Sequence, residues 1–193
     1  MNYFWTADFH LNHKNVIKYS QRPFKDVEEM NETIISNWNK VVKNEDIVYF
    51  LGDYAFGNAK FIAETLRQLK GNIKFLWGNH EKPLKQFARG ISNYPDLQDR
   101  LEFLGDYKEV KINEQFIVMC HYAFKVWNKS HFGSWNLFAH SHGSLKDDIN
   151  SLSIDVGVDC HNFTPINFEQ IKEIMSKKCW KPIDHHTRDS EED

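Results

Sequence analysis

Cysteine is scarce. Cys120, Cys160 and Cys179 form no Cys-x-x-Cys pair, and their number is odd. A disulfide framework is therefore not expected, and a reducing cytosol is the simpler setting. With five prolines and nine glycines, the chain is neither collagen-like nor dominated by linkers. No apolar run approaches the ~18 residues that a bilayer-spanning helix needs. The opening residues, Met1 to Asp8, carry no basic region and no long apolar stretch. The expectation is a soluble, cytoplasmic protein with no membrane association and no export address. Charge of one sign is lacking too: 24 Lys and Arg face 27 Asp and Glu, a formal net charge of −3. That balance argues against a dedicated duplex-DNA binder, whose footprint is strongly basic. There is no Gly-x-Ser-x-Gly elbow, no Gly-x-x-x-x-Gly-Lys loop and no His-Glu-x-x-His, so three common hydrolase and nucleotide-binding chemistries have nothing to rest on. Nor is there an internal repeat, and nothing marks an obligate protein partner.

What is present is a chain of 193 residues, 41% hydrophobic, long enough to bury a core without covalent staples. Residues 1–182 read as one domain. A compositional break comes after Pro182, and residues 183–193 read as a polar, mostly acidic tail that frays. The chain holds ten histidines, a surplus of the commonest metal-ligating residue.

The hydrophobic pattern alternates strands and helices. Asn2–Ala7, Ile47–Leu51 and Ile73–Trp77 are short apolar runs, and the second is bounded by Asp46 and Gly52 as expected of a strand buried on both faces. Asp26 caps a helix over Val27–Val42, with Met30, Ile34, Trp38 and Val41 at helical spacing. Asn58 caps a second helix that runs to Lys70, with Gly71 as its stop signal. Lys108–Ile112 and Phe116–Cys120 flank Asn113-Glu114-Gln115 as a hairpin. Trp135–Ala139 and Ser151–Val156 read as further strands, and Phe168–Lys178 as a closing helix. Early βαβ alternation and then hairpins predict an α/β domain with mixed sheets.

The informative residues stand directly after the apolar runs. Tyr3–Ala7 runs into Asp8-Phe9-His10, Ile47–Gly52 into Asp53, and Ile73–Gly78 into Asn79-His80. Phe116–Cys120 runs into His121, and Leu137–Ala139 into His140-Ser141-His142. Five strands thus end in Asp, Asn or His, the donor set of an oxygen and nitrogen metal site. In open α/β sheets ligands bind beyond the carboxyl ends of the strands. Residues i and i+2 of an extended segment point the same way, so Asp8 with His10, and His140 with His142, are expected to project as pairs into one cavity. Singly these signals are weak. Chance alone gives roughly 0.7 Asp-x-His and about 0.5 His-x-His in this composition, against ~0.04 for Gly-Asn-His. The ordered series is far rarer than any member.

In that order, Asp8-x-His10, Gly52-Asp53, Gly78-Asn79-His80-Glu81, His121-Tyr122 and Ala139-His140-Ser141-His142 resemble the calcineurin-like metallophosphoesterase superfamily, and within it small bacterial and phage phosphoesterases. The likeness runs over roughly residues 1–175, through Val156-Gly157-Val158-Asp159 and Pro165-Ile166-Asn167-Phe168. It departs at Ala139, where glycine usually precedes His-x-His, and at Ala123, where proline often comes after His-Tyr. The resemblance implies a β-sandwich of two mixed sheets flanked by α-helices. It also implies hydrolysis of phosphomonoesters or phosphodiesters by metal-activated hydroxide. Two divalent ions are implied, with manganese favoured and iron, zinc, nickel or cobalt as alternatives. Asp8, His10 and His142 would hold one, Asn79, His121 and His140 the other, and Asp53 would bridge. After Asp8, Asp53 and a bridging hydroxide, such a pair retains about +1 of charge to draw in a phosphate ester. His80 is then the non-ligand histidine that contacts phosphate and protonates the leaving oxygen.

Two further residues are candidate substrate contacts. His13 would touch substrate phosphate or be a hydrogen-bonded loop histidine. Arg22 would clamp a phosphate oxygen bidentately or be an ordinary surface arginine. Tyr122–Lys129 interleaves aromatics with lysine, as a base-stacking surface does, although hydrophobic packing of a long loop is the commoner explanation of such a stretch. Between Lys60 and Arg89 seven basic residues face two acidic ones, either steering anions or solvating a helix face. A nucleotide or nucleic-acid end is the favoured substrate. The alternatives are a broad small-molecule phosphatase and a non-catalytic metal-binding interaction module on the same fold.

Overall fold

A computed structural model describes residues 1–183. The expected acidic tail lies outside the described residues apart from Ile183, and so do His185 and His186. Among the described residues no helix is long and apolar enough to cross a membrane.

Among the described residues nine strands form two sheets. The first contains β1 (Tyr3–Thr6), β2 (Ile47–Phe50), β3 (Asn72–Leu76), β4 (Leu101–Gly105) and β9 (Ile166–Asn167), in the order β4-β3-β2-β1-β9. Strands β1 to β4 pair in parallel, and β9 runs antiparallel to β1. The second contains β5 (Tyr107–Ile112), β6 (Gln115–Cys120), β7 (Trp135–Phe138) and β8 (Ser153–Asp155) in sequence order. There β5 and β6 are an antiparallel hairpin, while β6, β7 and β8 are parallel. Both sheets are mixed, as the sequence pattern predicts.

The apolar runs have a direct cause, because the central strands of the first sheet, β1, β2 and most of β3, pack on both faces. Phe4, Val48, Phe50, Ile73 and Phe75 point into one core, shared with α2 (Val27–Val41) and α3 (Ala59–Gln68). Trp5, Tyr49, Leu51 and Leu76 point the other way, onto Ile117, Met119, Leu137 and Ile154 of the second sheet and onto α6 (Phe168–Ser176). This is the period-two alternation of a strand with no wet face.

The two helices with a predicted cap start at it, and the closing helix starts at a cap the pattern did not single out, Asn167. The Asp26 carboxylate accepts from Glu29 N at 2.9 Å, and α2 buries Met30, Ile34 and Trp38. The Asn58 side chain accepts from Phe61 N at 3.0 Å, and Asn167 with Gln170 makes a capping box on α6. Three helices were not visible in the pattern: α1 (Lys14–Tyr19), α4 (Lys82–Arg89) and α5 (Pro95–Gln98). Nor were β4 and β9.

Candidate metal centre

Five loops leave the carboxyl ends of β1, β2, β3, β6 and β7 and meet at one end of the sandwich. They carry Asp8 and His10, Asp53, Asn79 and His80, His121, and His140 and His142. The expectation of extended, alternating pairs is corrected here. Asp8 (φ 58°), His10 (φ 50°), Asp53 (φ 60°), His140 (φ 71°) and His142 (φ 48°) all lie in the left-handed region. Strand β1 stops at Thr6 and β7 at Phe138, and the chain then coils rather than continuing as a ribbon. Such conformations cost of order 1–3 kcal/mol each and collect at functional sites. Here they are held by the neighbouring loop: Asp8 N donates to Gly52 O and His10 N to Asp53 O, both at 3.0 Å.

Glycine is required where these loops cross. Gly52 has φ +102°, and a Cβ there would lie 2.5 Å from Gly78 N and 2.7 Å from His121 Nδ1. At Gly78 a Cβ would come within 2.2 Å of Asp53 Oδ1.

The side chains form two adjoining groups. Asp8, His10 and His142 offer donor atoms within 4.8 Å of one another, and so do Asp8, Asp53 and His121. His10 Nε2 is 3.6 Å from Asp53 Oδ2, and His121 Nε2 is 3.5 Å from the same oxygen. Asn79 Oδ1 lies 3.0 Å from His121 Nε2 and 2.9 Å from His140 Nδ1. All seven expected ligands thus fall in one connected cluster, with Asp53 between its halves. Asp8 also reaches toward the second half, its Oδ1 4.0 Å from His121 Nδ1.

Buried partners fix which atoms face inward. His121 Nδ1 is 2.7 Å from Leu51 O, to which it donates, leaving Nε2 as the lone-pair donor. His142 Nδ1 is 2.7 Å from Asp159 Oδ2, the carboxylate–histidine arrangement that orients a ligating imidazole. Asp8 Oδ2 accepts from His140 N at 2.9 Å, and Asp53 Oδ1 from His80 N at 2.8 Å, so each carboxylate keeps one oxygen for the centre.

The cluster fits a cation on its own physical terms. Asp8 Oδ1 and both ring nitrogens of His10 are buried without a hydrogen-bond partner, and such orphaned groups are costly in a folded chain. Burial, and next the carboxylates of Asp155 and Asp53, raise Asp8 well above the usual carboxylate range. Burial first, then His142 and Arg22, push the His10 imidazolium down to about 2, so its ring is neutral and free to donate a lone pair. Bringing cations among these groups inverts the penalty. Hard oxygen and borderline imidazole donors suit divalent first-row metals.

Arg22 is placed beneath the site rather than in its opening. Its side chain is buried, Nε and Nη2 each lie 2.8 Å from Asp159 carboxylate oxygens, and Nη1 and Nη2 donate to the carbonyls of Phe9 and Asp8. With these donors committed inward, Arg22 has no clamp to offer a substrate phosphate; it ties the Asp8–His10 loop to Asp159. Burial raises Asp159, but hydrogen bonds from His142 and Arg22 outweigh it and hold the carboxylate below its ordinary value.

His13 is in the opening. It lines a cleft of about 700 Å³ with His10, His80, His142, Tyr19 and Ser141, and its ring stacks on Phe56 at 4.3 Å. Of the aromatic stretch, Tyr122 packs against His140 at 4.8 Å, whereas Trp127 donates to Ser134 within its own loop. Sequence reasoning assigned no role to Asp155, Gly157 and Asp159. Asp155 accepts from Ser141 Oγ at 2.7 Å and Gly157 N at 2.8 Å, so it anchors the His140–His142 loop. The signal was there in Val156-Gly157-Val158-Asp159, but without a partner to give it a role.

A family model described as calcineurin-like phosphoesterase matches residues 1–191. An uncharacterized protein of Methanocaldococcus jannaschii is 33% identical over 178 residues, which cover 89% of each chain. The gene 66 protein of Mycobacterium phage D29 is 24% identical, covering 91% of this chain and 96% of its own. Among solved structures, a protein of unknown function from Aquifex aeolicus superposes with a TM-score of 0.65 at 20% identity, over 90% of this chain and 98% of that one.

Proposed function

We propose, given that this chain belongs to the calcineurin-like phosphoesterase family and is a metal-dependent phosphoric ester hydrolase, that its centre is dinuclear and that it cleaves phosphomonoesters or phosphodiesters, nucleotides and nucleic-acid ends among them. Asp8, His10 and His142 would hold one divalent ion, Asn79, His121 and His140 the other, with Asp53 shared. Manganese is the favoured occupant. A pair of such ions supplies positive charge to bind and polarise a phosphate ester and acidity to ionise water.

The chain's own residues do the rest. Arg22 and Asp155 hold the two loops, and Asp159 turns His142 inward. His80 is fixed through its backbone N–H to Asp53 Oδ1, and its ring stands in the cleft 5.7 Å from that of His10. From there it would give a proton to the leaving oxygen, a role typically worth ~10²–10⁴-fold. His13, steadied by Phe56, would contact a non-bridging phosphate oxygen. The observation that carries this reading is His10, whose two ring nitrogens are buried and unpartnered beside Asp8 and Asp53.

Metal analysis with hydrolysis of bis- and mono-p-nitrophenyl phosphate tests it. The expected result is close to two metal equivalents per chain and turnover that chelation abolishes. Stoichiometric metal with no turnover of either ester or of nucleotides would instead favour a binding module.

A further inference from the structure

The loop Gly78-Asn79-His80-Glu81 separates two openings. His80 lines the cleft already described, whereas Asn79 and Glu81 line a second cavity of about 450 Å³ on the far side. That second cavity continues along α4, where Lys82, Lys85, Gln86 and Arg89 form its wall. Their spacing of i, i+3, i+4 and i+7 places them on one face of the helix. The opposite face is fixed by Leu84 and Phe87, both buried, so the basic face cannot turn inward.

Three observations separate this stripe from an ordinary solvated helix. None of Lys82, Lys85 and Arg89 is in an ion pair among the described residues, so, as at several other surface lysines, their charge is open to a ligand; what is particular here is that all three share one wall of one cavity. Lys85 is half-buried, with Nζ 5.3 Å from the Trp77 ring, which holds it at the cavity wall. The acid lining the cavity, Glu81, is 2% exposed and its Oε1 accepts from Tyr54 N, so although it attracts Lys85 it makes no ion pair with the three cations. The cavity's floor at Asn79 is also the edge of the metal cluster, since Asn79 Oδ1 is within 3.0 Å of His121 Nε2.

We infer that the basic face of α4 is a binding groove for the backbone phosphates next to the one being cleaved, so that the substrate is a single nucleic-acid strand that crosses the centre. This rests on the phosphoesterase reading above. From Lys82 to Arg89 the groove extends about 10 Å, room for two to three successive phosphates. An isolated small monoester fills only the metal site and leaves three cations unused. A strand engages both, and a positive groove that tracks the backbone is how sequence-tolerant single-strand binding works.

The test compares wild type with Lys82→Gln/Lys85→Gln/Arg89→Gln and with the charge-keeping Lys82→Arg/Lys85→Arg/Arg89→Lys. Binding of a short fluorescein-labelled, phosphorothioate-linked DNA strand to the metal-loaded protein is monitored by anisotropy across a salt series. Hydrolysis of bis-p-nitrophenyl phosphate, which has no second phosphate, runs in parallel. The neutral variant is expected to bind the strand about 10–100-fold more weakly in low salt, with the salt slope reduced by about 2. Its loss on the small ester should be at least about tenfold smaller, and the charge-keeping variant should recover the strand. Strand affinity and salt slope that stay at wild-type values overturn the inference, and so does an equal loss on both substrates. Strand binding that depends on the three cations in a protein that cleaves nothing refutes the hydrolase reading alone and leaves the groove standing.

Discussion

Asp159 illustrates how much of a site is carried by residues that never meet a substrate. It takes two hydrogen bonds from Arg22 and one from His142, linking positions 137 and 17 residues away in the chain. Asp159→Asn should weaken metal binding about 10–100-fold, as loss of a carboxylate behind a ligating histidine typically does, measured by metal titration. It should also lower stability by about 3–5 kcal/mol, because the Arg22 guanidinium is left buried without its counter-charge; urea denaturation of the metal-free protein reads that directly. His80→Ala should behave oppositely, keeping its metal and its stability while turnover falls ~10²–10⁴-fold. Full activity at normal metal content would remove His80 from the chemistry. That these seven side chains would cluster was legible because each stands at, or within three residues of, the end of an apolar run. Arg22 was legible as an arginine but not as a buried one, since only the fold reveals that Asp159 waits for it. The left-handed backbone of five of the seven left no trace beyond their being Asp and His, types that tolerate it better than most.

At the scale of elements, legibility tracks burial. Strands β1 and β2 read as apolar runs packed on both faces, and β3 does so apart from Asn72 and Lys74; α2 and α3 carry a cap and a full stripe. The elements that escaped are the ones with few buried residues. Helix α1 buries only Val16, α5 only Leu97, and α4 only Leu84 and Phe87. Strand β4 lies at a sheet edge with a register shift against β3, and β9 is two residues long. Their shape is imposed by what they pack on rather than by their own periodicity. Caps, by contrast, are local. Asp26→Ala should cost about 0.5–2 kcal/mol through the lost bond to Glu29 N, while Glu32→Ala on the same helix should change denaturation midpoints little. Equal effects of the two substitutions would show that α2 is held by packing alone.

Over the whole molecule, the site is where the two sheets are tied together. Asp8, Asp53 and Asn79 come from loops of the first sheet, His121 and His140 from the second, and the shared apolar core lies behind them. Burial lifts Asp8 there, and the carboxylates of Asp155 and Asp53 repel it further. Cations remove that repulsion and bind only the folded arrangement, so each bound ion should stabilise the protein by about 2.7 kcal/mol at a hundredfold excess over its Kd. Thermal unfolding with and without chelator should therefore differ by several degrees; coincident curves would mean that the cluster holds no metal. The sharpest check on a dinuclear centre is the anomalous scattering of a manganese-loaded crystal. Two peaks are expected, one ringed by Asp8, His10 and His142, the other by Asn79, His121 and His140, with an Asp53 carboxylate between them. A single peak, or two that do not share Asp53, would refute that centre.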